Sequence, residues 1–162
     1  MVTRLQFQNN DARIAYLAVV YHLGRPGSEI DPDGLGEHPA ALRPLLEGLR
    51  LQIDQAVVTI EANSGQVQRI GQALSGVSNE LRQYGLSGTS IVAGFAKTVE
   101  RFWPEVEGDE SEAVDLVQFA VMLRRRLNSV IAEAESELRA EAEAEEVARE
   151  ARRGRWWQVW RR

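Results

Sequence analysis

Hydrophobic positions along the chain recur at helical spacing over most of its length. The strongest run starts at Leu42 and steps alternately by four and three. It takes in Leu46, Leu49, Ile53, Ala56, Ile60, Asn63, Val67, Ile70, Leu74, Val77, Leu81 and Tyr84. Twelve of these thirteen positions are apolar, roughly twice what the 44% hydrophobic background supplies. The phase carries through Asn63-Ser64-Gly65, which favours one long heptad-patterned helix over 39–84 with a weak point there, roughly 65–70 Å long, over the alternative of two helices that break at Asn63. Pro39 suits the first turn of such a helix, and Pro44 is early enough to be tolerated. Asn63 then occupies a seam position, where a polar residue fixes register at some cost in stability. The flanks of the stripe are apolar or small (Leu45, Val57, Ser64, Gly71, Ala73, Ser78) rather than charged. That pattern points to several close neighbours, hence a bundle rather than a two-stranded coiled coil.

Shorter helices flank it. Asn10 or Asp11 can cap a helix through Leu23 with Ile14, Leu17, Ala18 and Tyr21 on one face, stopped by Gly24. The first ten residues hold at most a short extended piece at 5–7. Residues 25–38 contain two Pro and three Gly and read as a loop. Its Asp31-Pro32-Asp33-Gly34 opens like a calcium loop, but Leu35 and Leu42 stand where such a loop needs oxygen ligands, which makes it a turn. A helix over 89–103 carries Ile91, Val92, Phe95, Val99, Phe102 and Trp103 and ends at Pro104. After the acidic loop 105–112, with Ser111 as cap, helix is expected through 112–153. The first half of that helix is apolar. Its second half is Ala, Glu and Arg, residues of high helix propensity, with Glu135–Arg139 and Glu145–Arg149 four apart in the favourable order. No strand is read anywhere. The expected fold is therefore all-α: an elongated helical bundle over 1–131, a long C-terminal helical arm over 132–153, and a basic Trp-rich terminal segment, 154–162.

Charge sharpens that division. The formal net charge is -5, yet residues 149–162 carry six Arg against Glu150, which leaves a net of -10 on residues 1–148. An acidic body repels nucleic acid and makes it an improbable partner. Cys is absent from the chain, so disulfides and thiolate chemistry are excluded. The longest charge-free window, 83–96, has 14 residues and three Gly, short of a membrane span. No cleavable leader pattern follows the apolar run 14–23, so a cytoplasmic location is expected.

Catalytic constellations are absent from the sequence. Glu-x-x-His, His-Glu-x-x-His, P-loop and Gly-x-Ser-x-Gly patterns do not occur, and no catalytic, cofactor-binding or metal residue is nominated. His22 reads as a core residue and His38 as a loop or cap residue. Glu133, Glu137, Glu141 and Glu145 form a solvated helix face, and Arg124-Arg125-Arg126 point in three directions as surface. The terminus is different. Three of the four Trp lie in 154–162, and on a helix Trp156, Trp157, Val159 and Trp160 share one side, with Arg155, Gln158, Arg161 and Arg162 on the other. Trp and Arg are enriched in binding hot spots and at membrane interfaces, and a bare Trp cluster requires a cover. That cover is a protein partner or sister subunit, an anionic membrane surface, or the chain's own body. The reading is a non-enzymatic interaction or assembly module that forms a homo-oligomer. Its candidate site is Arg155, Trp156, Trp157, Val159, Trp160, Arg161 and Arg162, and its alternative role is that of a peripheral membrane protein.

Overall fold

A computed structural model describes the backbone of residues 2–28 and 41–159, and their side chains as far as Glu150. The described chain is mostly helical. Its elements in order are β1 (Val2–Gln8), α1 (Asn9–Gly24), α2 (Arg43–Gln52), β2 (Val57–Asn63), α3 (Ser64–Ser87), α4 (Phe95–Phe102), a 3-10 turn (Pro104–Val106) and α5 (Glu110–Val159). Contacts divide the chain into Met1–Asn128 and Ser129–Arg162.

Two expectations are corrected. The fold is not purely helical, because β1 and β2 pair antiparallel from Val2 opposite Asn63 to Gln8 opposite Val57. The long helix over 39–84 is likewise two helices with a strand between them. The cause lies in Val57-Val58-Thr59-Ile60: four β-branched residues in succession lose side-chain freedom in a helix and suit a pleated strand. Val58, Ile60 and Ala62 are buried while Val57 and Glu61 are exposed, the period-two alternation of a strand with one covered face. A step of four also keeps a residue on one face of a strand, so Ile60 fits both readings.

Even so, ten of the thirteen stripe positions are buried, on α2, α3, β2 and the segments that join them. The stripe marks the core correctly and its secondary structure only in part. Ala56 is exposed in the turn before β2, where helical phase is lost. Asn9 holds this turn to the start of α1: its side-chain amide donates to the carbonyls of Ile53 (2.9 Å) and Gln55 (3.0 Å), and its backbone N–H donates to Ala56 O (3.1 Å). The side chain of Gln52 closes the outer edge of β2 by exchanging two hydrogen bonds with the backbone of Thr59.

Asn63 is not a seam residue inside a helix. It is the N-cap of α3, in a reciprocal capping box: its Oδ1 accepts from Gln66 N, and Gln66 Oε1 accepts from Asn63 N, both at 2.9 Å. Gln66 then donates to Ala41 O (2.7 Å), fastening the cap to the chain ahead of α2. Asn63→Ala should therefore destabilise the fold by about 1 kcal/mol. Urea unfolding checks this, and Asn63→Leu, which a continuous helix would welcome, should be no better tolerated.

The remaining elements follow local signals. Gly88, with φ +67°, ends α3, and its N–H donates to Tyr84 O. The helix expected from 89 begins only at Phe95, because Gly94 adopts φ +79° and closes a non-helical turn in which Ile91 is 82% exposed. Asp109, not Ser111, caps α5: its Oδ1 accepts from the backbone N–H groups of Ser111 and Glu112. The core of Met1–Asn128 sits where α1 meets α2, α3 and α4. Tyr84 and Phe95 are fully buried within it. Phe95 lies edge-on to Tyr21 and to Tyr84, with ring centroids 6.4 and 6.3 Å apart. The inner face of α5 contributes Ala113, Leu116, Val117, Ala120, Leu123 and Leu127. Within Ser129–Arg162 the described side chains are mostly exposed, and Arg149 pairs with Glu145 at 3.4 Å.

Candidate functional site

Of the terminal residues, Arg155, Trp156, Trp157 and Val159 fall on the backbone of α5, but their side chains lie outside the described residues, as do Trp160, Arg161 and Arg162 altogether. His38 and the 31–34 turn are also outside them. His22 is buried in the last turn of α1, where Arg25 Nη1 donates to its Nδ1 (2.5 Å) and to its carbonyl (3.0 Å). That contact makes it part of the helix end. Arg126 reaches across to Asp11 (2.5 Å), and Arg124, Arg125 and Arg126 are all exposed. The described Glu ladder is exposed, and no group of three or more His, Asp or Glu side chains among the described residues is arranged to hold a metal ion. Among the described residues, no helix is long and apolar enough to cross a membrane.

The structure brings together a second group. Trp103, at the N-cap of the 3-10 turn, and Val106, at its end, are both buried, and α5 starts four residues after Val106. The first turns of α5 then stand beside Trp103 and form a cleft of about 220 Å³ with Asn10. Trp103, Val106 and Leu116 make the floor and are buried. The indole N–H of Trp103 donates to Asn10 Oδ1 (3.3 Å), and its ring lies edge-on to Phe102 at 5.7 Å. Phe119 is the wall, 47% exposed. The rim is acidic and exposed: Glu105, Glu112 and Asp115. Among the described residues none of these three carboxylates is in an ion pair. Beyond Phe119 on the outer face of α5, Val114, Val121 and Met122 are exposed as well.

Residue order alone does not reveal this cleft. Its signal is that residues 104–123 contain six acidic side chains and no Lys or Arg, while Phe119 and Met122 fall off the buried stripe of α5. Comparison with known proteins decides nothing further. No protein family, no curated protein and no solved structure matches the chain.

One buried ionisable group bears on stability rather than on a site. The Tyr84 hydroxyl is enclosed with no hydrogen-bond partner at bonding geometry. Burial first, then the nearby carboxylates of Glu107 and Glu100, push its pKa above the usual 10.0. Glu100 is close enough to act on the phenol electrostatically without closing a well-formed bond. The folded chain thus keeps this proton after the unfolded chain has released it. The corresponding stability is present in full below pH 10 and is lost as pH rises further. Tyr84→Phe keeps the ring contacts and removes both the charge and the unpaired hydroxyl. Its unfolding free energy should fall less steeply above pH 10 than that of the parent chain, as read by chemical denaturation across that range.

Proposed function

We propose that this chain is a non-catalytic interaction or assembly module, acting in the cytoplasm, whose basic Trp-rich C-terminus engages a protein partner. In this reading residues 1–131 form the bundle-like body, 132–153 a charged helical arm and 154–162 the contact element. The observation that carries it is compositional. Three of the four Trp and three Arg are concentrated in nine residues at the end of an otherwise acidic chain. The described backbone of 154–159 continues α5, and a cluster of three Trp in one such segment requires a cover, which a binding partner supplies. Tryptophan and arginine supply the largest contact energies at protein interfaces. An anionic membrane surface is the second reading, favoured because the same residues suit a headgroup boundary, with on the order of 1 kcal/mol per nearby Arg.

Deleting 154–162 tests the proposal. The melting temperature should stay within about 3 °C of the parent, as expected of a segment that engages a partner rather than its own body. The main interaction should be abolished. Binding to anionic vesicles that high salt releases would favour the membrane instead. A large fall in melting temperature, with binding to protein and to vesicles unchanged, would make the terminus a structural latch and defeat the proposal.

A further inference from the structure

We propose that the cleft at Trp103 receives the Arg/Trp terminus of a second copy of this chain. This rests on the reading of 154–162 as a contact element and names its partner.

The two surfaces are complementary in charge and in chemistry. The cleft offers an indole and a half-exposed phenyl ring, Trp103 and Phe119, beneath three carboxylates that no described cation neutralises. The terminus offers Trp156, Trp157 and Trp160 interleaved with Arg155, Arg161 and Arg162. Indoles pack edge-to-face on the rings, and guanidinium groups donate charge-assisted, bidentate hydrogen bonds to the carboxylates. At about 220 Å³ the cleft is smaller than small-molecule sites, which span roughly 300–1,000 Å³. It suits one large side chain with its neighbours spread over the rim. Met122, 64% exposed, extends the apolar surface past the cleft, so a Trp-bearing helical turn has more to cover than the cleft alone.

A second copy is the occupant because every copy carries both surfaces, the acidic aromatic cleft and the Arg/Trp terminus, so that association between copies can cover each of them. The contact joins two different surfaces, so copies either exchange termini reciprocally in a closed dimer or add head to tail into a ring or an open chain.

Sedimentation velocity of the full-length chain at rising concentration tests this. The expected result is a distribution that moves to larger species as concentration increases. Glu112→Arg with Asp115→Arg should weaken association roughly tenfold or more, and Arg161→Glu with Arg162→Glu should do the same. Glu112 and Asp115 are exposed, and circular dichroism shows that each variant is folded. Combining the two pairs in one chain places acid on the terminus and base on the cleft, and should restore association. A chain that is monomeric at every concentration overturns the proposal. So does association that survives the cleft pair but is lost in Trp156→Ala/Trp157→Ala/Trp160→Ala, and in that case the terminus remains a contact element. Association that survives the triple Trp variant overturns both this proposal and the reading on which it rests.

Discussion

Replacing Phe95 with Ala should lower the unfolding free energy by about 4 kcal/mol, the upper range for truncating a buried aromatic. Phe95 is fully buried at the first turn of α4 and touches Tyr21 of α1 and Tyr84 of α3 edge-on. The substitution removes one ring and leaves two others facing a void. Those two rings sit on different helices and cannot both move into it, so the cavity stays largely unfilled. Phe95→Leu, which retains most of the volume, should cost markedly less, by about 1–2 kcal/mol. Guanidinium unfolding of the two variants gives the comparison. Equal losses would mean that the aromatic cluster does not join these helices.

The second large effect is expected at Gly24. A Cβ built there would stand 2.2 Å from the carbonyl oxygen of Ala93 and 3.1 Å from its nitrogen. The Gly24 carbonyl itself accepts from Ala93 N at 2.9 Å. The end of α1 and the turn before α4 are thus joined backbone to backbone, and only glycine allows that approach. Neither partner is a side chain that can swing aside. Gly24→Ala should cost about 3 kcal/mol, since overpacking against a fixed backbone forces the segments apart. Gly76→Ala makes an equally close contact with the Tyr21 ring, but that ring belongs to a movable side chain, so it should cost less. A melting temperature for Gly24→Ala within a degree or two of the parent would show that the junction is looser than described.

How far the sequence discloses the fold can be judged at particular residues. Two helices are legible from apolar spacing and composition but not from their caps: α1 runs Asn9–Gly24 with Gln8, not Asn10 or Asp11, at its N-cap, and α5 follows from its Ala, Glu and Arg content. The core is legible too, since Leu49, Ile70, Leu74, Val77, Leu81 and Tyr84 all stand on the stripe and all are buried. The sheet is not. Val58 and Ala62 alternate with exposed residues over only seven positions, and the partner strand begins at Val2, more than fifty residues earlier. Both segments carry a period-two alternation, with Leu5 and Phe7 in β1 and Val58, Ile60 and Ala62 in β2, but each run is too short to outweigh the helical stripe, and Ile60 satisfies the helical count by coincidence. Asn63 carries both possibilities in its side chain: a register-setting amide in a seam or an acceptor at a helix start. Gln66, three residues on, was the decisive neighbour, because it completes the capping box.

The candidate site divides in the same way. The terminal Trp and Arg residues stand out by composition alone. The cleft depends on how the 3-10 turn at Pro104 brings Trp103 beside Glu112, Asp115 and Phe119, and no spacing rule reports that juxtaposition. In sequence, Trp103 is only the last residue before a proline, and Glu105 and Glu112 are only two acids of a loop. Folding gives them a common surface.

Tryptophan emission tests the central claim, that the terminal Trp face is bare in the isolated chain and covered on association. The signal of the terminus is the difference between the full-length chain and its Trp156→Ala/Trp157→Ala/Trp160→Ala variant, since Trp103 is common to both. At the lowest concentrations that difference should show solvent-exposed indoles, open to quenching by iodide. As concentration rises it should shift to shorter wavelength and become protected from the quencher, in step with sedimentation. A difference signal already blue-shifted and protected at the lowest concentration, and unchanged on concentrating, would show the terminus folded on its own chain and contradict the account.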